Sequence, residues 1–453
     1  MKAAVTLPQI RETCSPKPLD GKDLNDFFVE TGDARDELRN LRDDLRLSFE
    51  ASDGIRRALV YGHRGCGKST ELNELKKELG KDWFVVGFSI NDYLPPVGMK
   101  AEDILLAIAA AIFEQSGDLK IGDKHLKKVH DFFTDVTVTD SSRRNADLVT
   151  TAGAGMKDGS LWSGLTGLHA SIKASLSLSS KHEKSIVHKI RQRPSELVVA
   201  LDGLLEAVKT AVELRGQRFL IIVEDLDKIG LADAHDIFVR NSQLLASPAA
   251  NIIYTIPLFT FYSSEAEVIR AQFDETFVFP MLKVVDLQKN KATGYAIVEK
   301  IVRKRVAKSI LEDDALDLLI RGTGGVLRDV FESLQLVSTF RTIKNRAIIR
   351  DDIREALNRI SLDRGVQIGW PADENGMRKP PTDLFERLAD IARRQADGLR
   401  VRPTNESTIE VLLRSGALIE YNGDRWLGVH PFARKYLADL NYDVGPDPYG
   451  LCQ

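Results

Sequence analysis

Apolar positions recur along the chain with two different periods, and the changes of period divide it into segments. Residues 21–50 are charged with helical spacing and predict surface helices, behind a loose tail at residues 1–20. Leu59, Val60 and Tyr61 form a short apolar run that enters a glycine-rich turn, and residues 83–88 form a second run. Residues 101–116 predict a helix with alanine on its packing face. The longest clean apolar run, residues 104–113, has about half the length of a membrane span, so a buried helix is expected and no membrane contact. Residues 219–223, 251–256 and 276–279 are apolar without alternation, the pattern of parallel strands covered on both faces. Residues 290–360 read as helix throughout.

The stretch from about 120 to 193 breaks this rhythm. Its start, residues 125–133, has helical spacing, and residues 149–180 are rich in Gly, Ser, Thr and Ala. Within it Ile172, Ala174, Leu176 and Leu178 alternate with Ser171, Lys173, Ser175 and Ser177, which predicts a half-exposed strand. Residues 181–193 are basic, and Pro194-Ser195-Glu196 opens a long helix over 197–214. The stretch is read as an insertion in a larger α/β core.

Residues 366–382 carry the Pro, Gly and Asn signals of a linker. Two helical segments follow, 383–395 and 407–415, then two short strands, 417–421 and 426–429, joined by the hairpin dipeptide Asn422-Gly423. Helices followed by a hairpin spell a winged helix. The expected organisation is a tail (1–20), a core (21–289) holding the insertion, a helical lid (290–365), the linker, a winged helix (383–440) and a C-terminal tail (441–453).

Composition narrows the class. Of 453 residues, 43% are hydrophobic and 28% charged, which excludes global disorder, and the net charge of -3 excludes a uniformly basic nucleic-acid coat. Cys14, Cys66 and Cys452 are too few and too scattered for a disulfide framework or a zinc site. The first residues lack the apolar core of a signal peptide. A cytoplasmic location is expected.

The chemistry concentrates in two short motifs. Gly62-His63-Arg64-Gly65-Cys66-Gly67-Lys68-Ser69-Thr70 fits the pattern G-x-x-x-x-G-K-[ST] between an apolar strand and a helix. The glycines let backbone N–H groups turn towards phosphate oxygens, Lys68 reaches the β- and γ-phosphates, and the Ser69 hydroxyl ligates Mg²⁺. The helix that follows adds its positive end. Later, residues 219–223 run into Glu224-Asp225-Leu226-Asp227-Lys228, an apolar strand ending in acids. An ATPase of this type needs one carboxylate to hold Mg²⁺ and another to orient the attacking water. If Glu224 takes the metal, Asp225 polarises the water; if Asp225 takes it, Glu224 lies one residue early. The first assignment is preferred, and Asp227 is given a structural role. ATP and Mg²⁺ are the expected ligands, and no nucleophile or acid–base set for another substrate is visible.

With these motifs the sequence resembles the AAA+ and STAND branches of P-loop ATPases, especially origin-recognition-type initiators. GHRGCGKST looks like Walker A and VEDLDK like Walker B, with Glu224 where Asp is usual. Ile253-Tyr254-Thr255-Ile256-Pro257 resembles a sensor 1 strand, which implies that Thr255 approaches the γ-phosphate. Arg270 lies in a segment similar to one that carries an arginine finger, and Arg328 follows Gly324-Gly325 as in the sensor 2 turn of a helical lid. The resemblance implies an α/β fold: a P-loop NTPase three-layer core with a parallel sheet, a helical insertion, an all-helical lid and a C-terminal winged helix. It also implies ATP hydrolysis coupled to self-association. The insertion looks more like large bacterial NTPases tied to phage defence, which implies an effector protein as partner. The winged helix implies possible DNA contact through Arg414 and Arg425, although the basic excess over residues 377–440 is slight. The alternatives are a DNA-binding initiator or a nucleotide-gated scaffold with negligible turnover. The eight histidines show no ligand spacing, and His63 is expected to face solvent.

Overall fold

A computed structural model describes residues 2–35, 40–51, 54–138, 165, 173, 176, 181–286, 288–340, 346–369, 381–404, 406–421 and 426–451. Five strands form the central sheet: β1 (Arg57–Gly62), β2 (Trp83–Ser89), β3 (Arg218–Glu224), β4 (Ile252–Pro257) and β5 (Glu275–Val278). Their order is β2-β3-β4-β1-β5 and every adjacent pair is parallel. Successive side chains of a strand point to opposite faces, so each apolar run feeds two cores. Leu59, Tyr61, Ile221, Val223 and Tyr254 enter one cluster with the helices Ala101–Gln115 and Pro194–Glu213. Ala58, Val60, Leu220, Ile222 and Ile253 enter the other with the helices Leu41–Glu50 and Lys68–Leu79. The result is a three-layer α/β core, as the runs without alternation require.

The helix Ala101–Gln115 is buried from Ile104 to Phe113 because the sheet lies on one side and the insertion helices on the other. No described helix is long and apolar enough to cross a membrane. The insertion begins with the helix Leu126–Val138 and ends with the helix Lys181–Arg191. Of the alternating segment, only Lys173 and Leu176 are described, and both are helical rather than extended. Leu176 is buried in the first cluster while Lys173 is exposed. The remaining residues of that expectation lie outside the described ones.

A second body of helices, Thr293–Arg305, Asp313–Gly322, Leu327–Val337 and Arg350–Gly365, forms its own cluster. Residues 4–14, expected as part of a loose tail, join it instead of trailing. Leu7–Thr13 is helical, with Ile10 and Cys14 buried among the lid residues. Ala4 N donates to Arg305 O at 2.8 Å and Ala4 O accepts from Ala307 N at 2.9 Å. The signal was present in the helical spacing of Leu7, Ile10 and Cys14, but three apolar positions beside two prolines read weakly.

The C-terminal residues form the helices Pro381–Ala396, Ser407–Arg414 and Pro431–Asp439 around an antiparallel pair, β6 (Leu418–Tyr421) and β7 (Trp426–Val429). The Asn422-Gly423 turn and Arg425 lie outside the described residues. This pair packs on the α/β core: Ile419, Tyr421 and Trp426 share a cluster with Cys66, Phe279 and Val326. The final residues are also tied down, with Tyr449 and Leu451 buried against the lid.

The lid turn is a tight joint against backbone. Gly325 has φ +84°, and a Cβ there would lie 2.3 Å from the Leu282 carbonyl oxygen. Gly98, at φ +76°, has nothing within 4 Å of its virtual Cβ. Gly98→Ala therefore meets only backbone strain, about 1 kcal/mol. Gly325→Ala adds a clash with backbone and should cost about 3 kcal/mol or more. Equal losses in denaturant midpoint for the two variants would show that the lid does not sit as described.

Candidate functional site

The loop between β1 and the helix Lys68–Leu79 turns on two left-handed glycines, Gly65 (φ +78°) and Gly67 (φ +106°). Gly67 caps the helix with no side chain of its own, so the N–H groups of the first turn have no carbonyl within the helix and face outwards. A cavity of about 120 Å³ opens on this loop. Its walls come from the loop, the end of β3, the lid helix Leu327–Val337 and the N-terminal segment. Arg64, Lys68, Ser69, Asp227 and Arg328 line a polar part of it, and Phe27, Phe28 and Phe331 an apolar part.

Lys68 is buried and fully occupied. Its Nζ donates to Gly62 O and His63 O, both at 2.9 Å, and pairs with Asp227 Oδ2 at 2.7 Å. Burial disfavours the ammonium, but Asp227 outweighs it and holds the pKa above the ordinary lysine value. Asp227 reaches Lys68 because the chain leaves β3 through Asp225 at φ 69° and enters a tight 3₁₀ turn, Leu226–Lys228. That turn swings the third acid of the motif, not the second, back to the loop.

Glu224, the last residue of β3, lies beside Ser69 and hydrogen-bonds with it. Burial raises its carboxyl pKa to about 7; Ser69 opposes the shift, and the negative Asp225 and Asp227 add to it. Asp225 also lines the cavity, but its carboxylate is tied down: Oδ2 accepts from Ser89 Oγ at 2.7 Å and Asn91 Nδ2 at 3.3 Å, and Oδ1 pairs with Lys228 at 2.6 Å. Burial raises its pKa, but Lys228 and Ser89 prevail and the net shift is downward.

The other expected residues are placed as follows. Thr255 is buried in β4 and donates to Val223 O at 3.4 Å, towards the neighbouring strand. Arg270 lies on the helix Ala266–Gln272, paired with Glu267 at 2.6 Å and packed over Phe261. It does not line the cavity. Arg328 does; its backbone N donates to Gly65 O at 3.3 Å, so lid and loop touch. Arg64 extends over the turn to Asp227 O at 3.4 Å and to Lys228 O. Thr70 Oγ1 accepts from Leu19 N at 3.1 Å, anchoring the N-terminal segment to the helix after the loop. Cys66 is a buried free thiol whose carbonyl accepts from Arg35 Nη2 at 2.7 Å.

His63 does not face solvent. It is 8% exposed, and its Nε2 accepts from Glu420 N of β6 at 2.6 Å. Burial, then Lys68 and His430, depress its pKa to about 3, so the ring is neutral. His430 in turn contacts Asp329 Oδ2 through Nε2 at 3.0 Å and accepts from Phe432 N at Nδ1 at 3.1 Å. Sequence reasoning also missed Arg35. Its guanidinium is buried, lies 3.9 Å from the Phe279 ring centroid and donates to Thr31 Oγ1 and Pro280 O. Nothing in the local sequence marks Arg35, because Pro280 and the Phe279 ring reach it only through the fold.

The parallel sheet with its glycine loop after β1 and an acid-ended β3 across β4 defines a P-loop NTPase fold. No protein-family model matches the chain, and no curated protein does. Among solved structures it is similar to a Walker-type ATPase of Pyrococcus abyssi, with 14% identity, a TM-score of 0.38, and coverage of 92% of this chain and 99% of that one. It is also similar to the ORC1 protein of Aeropyrum pernix, solved in complex with DNA, with 14% identity, a TM-score of 0.38, and coverage of 95% of this chain and 97% of that one.

Proposed function

We propose that the protein is a Mg²⁺-dependent ATPase that works as a switch. The observation that carries this reading is a glycine-turned loop whose backbone donors, Lys68 and Ser69 face a cavity, with the Glu224 carboxyl beside Ser69. The donor set suits Mg²⁺: a hydroxyl and a carboxyl are hard oxygen ligands, and this ion usually keeps waters and substrate phosphates as its other ligands. Among the described residues no cluster of three or more His, Cys, Asp or Glu side chains could bind a metal alone. When bound, the ion would neutralise charge on the β- and γ-phosphates.

The protein's own residues do the rest. Loop N–H groups and Lys68 hold the triphosphate, so ATP competes with Asp227 for the lysine. Release of Asp227 frees the Leu226–Lys228 turn, and Arg328 carries the change to the lid. Because His63 holds β6, the C-terminal helices and hairpin, read as a winged helix, sense the same event. In this reading the core spans residues 21–289, the lid 290–365 and the winged helix 383–440. Nucleotide state would then govern self-association, with Arg270 offered to a neighbouring copy, and binding of an effector protein or DNA. A role in phage defence is one setting for such a switch.

A second reading, a nucleotide-gated scaffold with little turnover, is favoured by Asp225, which Lys228 holds rather than a water site. Phosphate release from radiolabelled ATP separates the two. Wild type is expected to hydrolyse ATP, and Glu224→Gln to bind it while losing about a hundredfold or more in rate. Tight binding without release by wild type would favour the scaffold. Equal rates for both proteins would remove Glu224 from the site.

A further inference from the structure

Arg305 ends the lid helix Thr293–Arg305 and is 4% exposed. Its guanidinium lies 4.1 Å from the Phe331 ring centroid and 5.5 Å from that of Phe27. Its Nε has no hydrogen-bond partner among the described residues. Burial lowers its pKa to about 10, with only the distant pull of Cys14 and Asp23 against it. The Cys14 thiol is itself pushed up to about 11 by burial and is neutral, so it supplies no counter-charge at neutral pH. A buried cation without an ion-paired carboxylate is unfavourable, and ring contacts recover only part of that loss. Arg305 nevertheless lines the same cavity as Lys68 and Ser69, together with Phe27, Phe28 and Phe331. A donor without an acceptor therefore sits in the apolar part of a cavity whose polar part suits a triphosphate.

We infer that Arg305 binds the nucleoside of the nucleotide, donating a guanidinium N–H to an acceptor of the base or ribose while Phe27 and Phe331 hold the guanidinium in place. Arginine carries donors only, so it matches ring nitrogens, carbonyl oxygens and hydroxyl oxygens. The lid thus touches the ligand at both ends, through Arg328 near the loop and Arg305 near the nucleoside. This inference rests on the nucleotide reading above.

The test is isothermal titration of the full chain and its Arg305→Met variant with ATP and with inorganic tripolyphosphate. Methionine keeps the length and apolar packing and removes the donors. The variant should lose about tenfold or more in ATP affinity, the worth of one buried hydrogen bond, and keep its tripolyphosphate affinity within about twofold. It should unfold no earlier than wild type in a thermal scan, because an unpaired buried charge has been removed. Equal weakening for both ligands, or no weakening, would overturn the inference while leaving the nucleotide reading standing. Failure of wild type to bind either ligand would overturn both.

Discussion

Lys68→Ala is expected to abolish ATP binding and, in the absence of any nucleotide, to destabilise the protein by about 3–5 kcal/mol. The first effect follows from the loop: its lysine is the cation that the loop itself brings to the β- and γ-phosphates. The second follows from the Lys68–Asp227 pair, whose side chains are 5% and 7% exposed. Removing one partner of a buried pair strands the other charge, and the stranded Asp227 then carries the penalty. Adding Asp227→Asn removes that charge, so the Lys68→Ala/Asp227→Asn protein should regain most of the lost stability while remaining unable to bind ATP. Asp227→Asn alone should bind ATP more tightly than wild type, because the nucleotide no longer competes for Lys68. Urea unfolding and titration calorimetry on the four proteins measure this cycle directly. A double variant no more stable than Lys68→Ala would mean that the pair does not form. ATP binding by Lys68→Ala at wild-type affinity would remove the loop from the site.

The parts of this site that were legible in the sequence are those in which neighbours along the chain are also neighbours in space. The loop of residues 62–70 needs only its own glycines and the helix behind it. The acids of 224–227 follow directly from a buried strand, so the motif was visible, although the division of labour was not. That division depends on the left-handed Asp225, which turns its side chain to Ser89 and Lys228 and brings Asp227 to Lys68. A left-handed non-glycine residue leaves no mark in composition or periodicity. The lid glycines and Arg328 were readable for the same local reason. Arg35, Arg305 and His63 were not, because their surroundings are assembled from distant segments. Arg35 bonds to Pro280, 245 positions away, and His63 bonds to Glu420, 357 positions away. Such contacts give a buried polar residue the same one-letter appearance as an exposed one. The N-terminal segment failed for a third reason: its few apolar residues gain their meaning from the lid groove they fill.

Mild acid is expected to cost the wild-type fold a contribution from His63 that a His63→Gln variant does not lose. The hydrogen bond from Glu420 N to His63 Nε2 requires a neutral ring, since a protonated ring would set one donor against another. Burial, with Lys68 and His430, brings the His63 pKa from 6.5 down to about 3. A depressed histidine means that the unfolded chain takes up the proton first. The stabilising contribution is therefore complete above the ordinary value, is lost progressively as the pH falls below it, and stops falling near the folded value. At pH 5 the loss should be about 2 kcal/mol. Glu224 works in the opposite direction. Its carboxyl is raised from 4.5 to about 7, so the penalty of burying it charged fades as the pH falls through that range. Wild type alone therefore shows only the difference of two slopes. Glutamine at position 63 can still accept from Glu420 N and does not titrate. Subtracting its stability profile from that of wild type between about pH 4.5 and 7.5 cancels Glu224 and leaves the histidine term. The difference should be flat at the upper end and approach about 1.4 kcal/mol per pH unit at the lower end. Parallel profiles would mean that His63 titrates freely and that β6 is not fastened to the phosphate loop.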